Sequence, residues 1–213
     1  MKKGTVFLII LFIVIADQAL KIYIKTHYHV GESHSVLGNW FQLYFIENEG
    51  MAYGWKLGGQ WGKIMLTLFR LTAVILGVLY IKKIIEKNYP AGYIICIGLI
   101  FAGALGNLID SLFYGIIFEN SSMFTYNVAR IFPKDGYAGF MHGRVVDMLY
   151  FPIIKHASLP GWIPFIGGKQ FSFFNYIFNI ADASVSVGVI TIIVFRKRFF
   201  RRQEKILSAE EIS

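Results

Sequence analysis

Four carboxylates occupy places where an ionised group is costly: Asp17, Asp110 and Asp182 fall inside long apolar runs, and Asp147 closes an outer segment in GRVVDMLYF, whose apolar flanks return it toward the membrane. An ionised acid in hydrocarbon costs at least ~2.5 kcal/mol, so each is a functional candidate by default. Two carboxylates held close together cannot both ionise cheaply; one keeps its proton, and the pair then offers an acid and a base. The base can take a proton from water as it attacks a carbonyl, and the acid can donate to the carbonyl oxygen and later to the leaving amine. Those are the roles that peptide-bond hydrolysis needs. Polar companions share a helical face with three of the acids: Lys21 at i+4 from Asp17, Asn107 at i−3 from Asp110, and Asn179 at i−3 from Asp182.

Other hydrolytic chemistries lack their residues. There is no H-E-x-x-H for zinc, no G-x-S-x-G elbow and no G-x-G-D acid motif, and the single cysteine, Cys96, has no histidine on its face. One cysteine also excludes a disulfide framework or a Cys/His zinc site. His142 beside scattered acids reads as an interfacial histidine, so no metal and no cofactor are expected.

The elements that must position these acids are membrane helices. With 55% hydrophobic residues, 16% charged and a mean hydropathy of +0.54, the 213-residue chain is too apolar for a soluble globule. Four runs approach the ~20 residues needed to span a bilayer: 4–24, 61–81, 91–114 and 174–195. The first resembles a secretory signal, but no small-x-small cleavage site follows it and it carries Asp17, Gln18 and Lys21, so it is expected to stay as a helix. The expected fold is an all-α integral membrane protein of one four-helix domain over 1–200, with a small β element and extended loops in the outer segments 25–60 and 115–173, and a charged, frayed tail over 201–213. Lys2 and Lys3, Lys82, Lys83 and Lys87, and the cations from Arg196 onward then share one side, which makes both termini cytoplasmic. The net charge of +8 reads as this topology signal, and no nucleic acid is expected. Counting at 1.5 Å per residue puts Asp17 about 20 Å along the first helix and Asp182 about 12 Å into a fourth helix beginning at Phe174, both at the outer leaflet with Asp110.

Polar groups in bundles also glue helices together, and acids in helices serve as proton relays in transporters. Glue needs no convergence on one depth. A relay needs polar groups continuing toward the cytoplasmic side, where TVFLIILFIVIA and VGVITIIVF are wholly apolar. A non-catalytic scaffold would make no single acid essential. Arg70 in the second helix leaves two readings open, pairing with an acid or snorkelling to the interface.

Five motifs in order across the four helices carry a resemblance: Asp17-Gln18-x-x-Lys21, Asn48-x-Gly50-Met51-Ala52, Gly103-Ala104-Leu105-Gly106-Asn107-Leu108-Ile109-Asp110, Gly143-x-Val145-Val146-Asp147 and Phe178-Asn179-x-Ala181-Asp182. The chain resembles the bacterial lipoprotein signal peptidases, aspartyl proteases of the inner membrane. The resemblance implies removal of signal peptides from prolipoproteins before a diacylglyceryl-cysteine, with Asp147 and Asp182 catalytic. It implies that Asp17, Lys21, Asn48, Gly50, Asn107, Asp110 and Asn179 bind substrate or support the pair. On the residues alone, Asn48 and Gly50 read as an ordinary turn. The implied partners are lipid-modified prolipoproteins and membrane lipid, the implied state a monomer, and the implied site periplasmic. Two departures stand out. Ser111 occupies a position where the family usually has arginine, for which Arg144 is the candidate substitute, and the stretches 115–142 and 152–170 are insertions.

Overall fold

The structure, a computed structural model, describes residues 3–48, 59–152, 154–158, 162, 170–173 and 176–210. In chain order the elements are α1 (Lys3–His27), β1 (Ser33–Leu37), β2 (Phe41–Asn48), α2 (Gly59–Glu86), α3 (Ala91–Ile117), β3 (Val145–Tyr150), β4 (Ile154–Ser158), β5 (Gln170–Phe173), β6 (Ile177–Phe178) and α4 (Ile180–Glu210). Gly50, Met51 and Ala52 lie outside the described residues.

Among the described residues, three helices are long and apolar enough to cross a membrane: Lys3–His27, Trp61–Glu86 and Ala91–Ile117, of 25, 26 and 27 residues. Their outward faces are apolar, with Phe7, Phe12, Met65, Phe69 and Ile75 exposed, as expected of helices whose solvent is lipid. The fourth differs. α4 has 31 residues, yet only 13 apolar or weakly polar ones lie between Asp182 and Arg196. It also begins at Ile180 instead of 174, because Ile177 and Phe178 extend as β6 and pair with Tyr150 and Leu149. Asp182 is therefore the third residue of the helix, about 3 Å along it and not ~12 Å. At its other end α4 continues to Glu210, so the segment expected to fray past Phe200 is helical through that point.

The β structure is larger than the sequence suggests, because both outer segments contribute. Strands run β1-β2-β3-β6 in one antiparallel sheet, and β4, within the 152–170 insertion, pairs with β5, which begins at its last residue, in a separate one. In the main sheet Ile46 pairs with Asp147 and Asn48 with Val145, which places both motifs side by side. The ends of α1 and α3 meet this sheet in a core of Ile24, Val30, Phe45, Tyr114, Phe118, Val146 and Met148. Burying each such side chain stabilises the fold by about 1.5–3 kcal/mol, so the sheet is fixed to the helices and does not float beside them. A second core of Val6, Ile84 and Ile94 closes the opposite end.

The glycines of the third motif allow α3 to serve as the central helix. A Cβ at Gly106 would lie 2.7 Å from Asp17 Oδ2 and 3.2 Å from Ala181 Cβ, and one at Gly103 would lie 2.6 Å from Val185 Cγ2. Neither contact is tolerable for a methyl group, so only glycine lets α1 and α4 approach α3 this closely.

Candidate active site

The four acids gather at the sheet end of the bundle in one hydrogen-bonded web. Lys21, fully buried, contacts Asp17 Oδ2 at 2.7 Å, Asp110 Oδ2 at 2.8 Å and Asn107 Oδ1 at 2.9 Å. Gln18 Nε2 donates to Asp110 Oδ1 at 2.9 Å and to Asp17 Oδ2 at 3.2 Å, while Tyr114 donates its hydroxyl proton to Gln18 Oε1. One ammonium thus serves two buried carboxylates, and a side-chain amide bridges the same two.

Each of these carboxylates grips the backbone next to another acid. Asp17 Oδ1 accepts from the Ala181 N–H at 2.9 Å, beside Asp182, and Asp110 Oδ2 accepts from the Val146 N–H at 3.4 Å, beside Asp147. The first contact sets a carboxylate against the start of α4, where the helix dipole favours negative charge. Because Lys21 ties Asp17 to Asp110, the strand carrying Asp147 and the helix carrying Asp182 are held at a fixed offset.

Two asparagines complete the link. Asn179 is the residue before α4, and its Oδ1 accepts from the Asp182 N–H at 2.8 Å, the geometry of a helix N-cap. Its Nδ2 donates to Asp147 Oδ1 at 2.6 Å. Asn107 donates to Asp182 Oδ1 at 2.7 Å, and Asn48 donates to Asp147 Oδ2 at 3.3 Å. Asp147 is 2% exposed and Asp182 half-buried, so the pair is open to solvent on the Asp182 side. Burial, reinforced by the nearby charge of Asp182, pushes the Asp147 carboxyl up to about 7. Its surroundings therefore favour the protonated form of Asp147.

Asp17, Lys21, Asn48, Asn107, Asp110, Asp147, Asn179 and Asp182 therefore converge. Arg144 does not join them: its guanidinium donates to Glu47 Oε2 at 2.9 Å and Asn120 Oδ1 at 3.1 Å, and lies over the Tyr137 ring. Nor does it meet Ser111, whose hydroxyl instead accepts from Arg70 Nη1 at 2.6 Å and donates to the Asn107 carbonyl at 2.9 Å. The guanidinium that reaches Ser111 comes from α2 and not from Arg144. Beside the web, buried Lys25 contacts Glu47 and Ser121, so Glu47 is held by two cations next to Asn48. Lys25 extends the i, i+4 series of Asp17 and Lys21 along one helix face, a signal the sequence offered. Arg70 gave no such signal, since nothing near it in sequence is acidic.

The family model for Signal peptidase (SPase) II matches residues 9–197. A lipoprotein signal peptidase of Porphyromonas gingivalis is 43% identical over 188 residues, covering 87% of this chain and 80% of its own length. One from Amoebophilus asiaticus is 30% identical over 208 residues, covering 96% and 83%. Two solved bacterial membrane enzyme structures, determined by the in meso method at 2.3 and 1.9 Å resolution, overlay with TM-scores of 0.56 and 0.55, each at 28% identity. The first alignment covers 92% of this chain and 89% of that one, the second 90% and 92%.

Proposed function

The chain belongs to the signal peptidase II family, and on that premise we propose that it is an aspartic endopeptidase that removes the signal peptide from diacylglyceryl-modified prolipoproteins, cutting before the lipidated cysteine. The observation that carries the assignment is the joining of Asp147 and Asp182 through one residue, Asn179, which donates to the first at 2.6 Å and caps the helix bearing the second at 2.8 Å.

In this reading Asp182 is the base. It takes a proton from water as the oxygen attacks the scissile carbonyl, and Asp147 donates its proton to the carbonyl oxygen. Collapse of the tetrahedral intermediate returns the carbonyl, and a carboxyl proton passes to the leaving amine. Asn107, Asn179 and Asn48 hold the carboxylates in orientation, and no cofactor enters the proton balance. Gly50, two residues beyond Asn48, and Arg144, one residue beyond Gly143, are assigned to substrate handling.

The topology we propose has four spans, both termini cytoplasmic and the pair on the periplasmic face of the bacterial inner membrane. α4 is the short span. From Ile180 to Phe195 it covers about 24 Å, and Arg196, Lys197 and Arg198 reach the remaining distance by snorkelling. Lys82, Lys83 and Lys87 mark the same side. The enzyme acts as a monomer, with lipid holding the substrate's acyl chains.

The test is cleavage of a diacylglyceryl prolipoprotein by the purified protein and by Asp147→Asn and Asp182→Asn, each with and without chelator. Both variants should insert and fold yet lose at least ~10²-fold in turnover, and chelator should change nothing. Normal turnover by either variant would refute the assignment.

A further inference from the structure

Arg70 is a site-facing cation that the reaction scheme leaves without a task. It sits half-buried on α2, a helix with no acid in its apolar run, and among the described residues its hydrogen-bond partner is a neutral hydroxyl, Ser111 at 2.6 Å. A guanidinium has five donors. Holding one charge in an apolar helix for a single bond to serine is a poor exchange unless the charge itself is used. Two acids lie beside that serine: Asp110 precedes it in α3, and Asp182 accepts from the side chain of Asn107, whose carbonyl accepts from the Ser111 hydroxyl. The first is already neutralised by direct contact with Lys21.

Counting charge sharpens the point. Among the described residues, the cation in contact with any of the four acids is Lys21, already shared between Asp17 and Asp110. The remaining charged groups packed nearby, Glu47, Lys25 and Arg144, satisfy one another. Among the described residues, the pair's contacts are the amide donors of Asn107, Asn179 and Asn48.

We propose that Arg70 is the counter-cation of this pair, reaching from α2 across Ser111 toward the side that carries Asp182. The proposal rests on the pair being the reacting groups. Arg70 acts through the pair and not on the substrate, and Ser111 fixes its position: the serine is fully buried, bonded back to the Asn107 carbonyl, and Asn107 in turn donates to Asp182. The guanidinium and the base are thus held by the same turn of α3.

The experiment is kcat/KM against pH for the full-length protein in bilayers, with a diacylglyceryl-cysteine peptide as substrate, comparing wild type, Arg70→Gln and Arg70→Lys. Glutamine can keep the bond to Ser111 but loses the charge, so the acidic limb should move up by about one pH unit, costing about tenfold below the wild-type limb and little at the plateau. Lysine should restore the limb. A purely structural role would lower turnover equally at every pH. An unmoved limb in Arg70→Gln, with Asp147→Asn and Asp182→Asn inactive, overturns the role of Arg70 alone. Active Asp147→Asn or Asp182→Asn overturns the pair itself.

Discussion

Removing the Lys21 ammonium should break the site more severely than removing any other supporting group. The Asp17 and Asp110 oxygens both touch Nζ, at 2.7 and 2.8 Å, so they lie no more than about 5.5 Å apart. At an effective dielectric of about 20, two bare charges at that distance repel by roughly 3 kcal/mol. That agrees with the ~3–5 kcal/mol generally lost when one partner of a buried ion pair is deleted. For a chain of 213 residues each kcal/mol corresponds to about 2–4 °C, so Lys21→Met should lower the apparent melting temperature in detergent by about 10 °C. A second change, Asp110→Asn, removes one of the repelling charges and should recover roughly half of the loss. The measurement is thermal unfolding of wild type, both single variants and the double variant. A Lys21→Met midpoint within about 2 °C of wild type, or a double variant no better than the single, would refute the claim that one ammonium holds two ionised acids.

Gly106→Ala should destabilise the protein and reduce cleavage, because the new methyl group would meet Asp17 Oδ2 at 2.7 Å; wild-type midpoint and activity would show that α1 and α3 can part without consequence. Asp147 binds a proton in the folded protein between its ordinary range near 4 and about 7. Its contribution to stability is therefore full below that window and lost as pH rises through about 7, and kcat/KM should fall over the same rise; a rate profile flat from pH 6 to 9 would contradict this. A prolipoprotein carrying its diacylglyceryl group should be cut far better than the same peptide with a bare cysteine, since the chains place the scissile bond at the right height and remove much of the cost of alignment. Equal rates in bilayers would reject that source of selectivity.

What the sequence made legible was composition-level and local. Buried acids announce themselves by sitting in apolar runs, and their partners at i+4 and i−3 follow from helical geometry, so the Asp17–Lys21 contact could be expected before any coordinates. Contacts between elements could not. Nothing in the spacing says that Asp17 accepts from the Ala181 backbone or Asp110 from Val146, because those bonds join residues 164 and 36 positions apart. The start of α4 was misplaced for a related reason. Residues 177 and 178 are apolar and fit a helix or a strand equally well, and the choice is made by the free edge of β3 at Tyr150 and Leu149. Arg144 was matched to Ser111 by nearness to a motif, whereas the fold brings Arg70 there from α2 and commits Arg144 to Glu47.

That difference in legibility has a physical origin in how the site is built. One acid comes from a strand and the other from the first turn of a helix, so neither element alone fixes their separation. The separation is set by a second pair of acids, each bonded to the backbone beside its counterpart and joined to the other by Lys21. Such an arrangement costs the desolvation of several charges, which an apolar core would not incur. Its return is a rigid offset between Asp147 and Asp182, because the apolar core that seats β3 on α1 and α3 holds, among the described residues, no residue of α4. Polar bonds must then do the positioning, and Asp17 and Asp110 are as necessary to that geometry as Asp147 and Asp182.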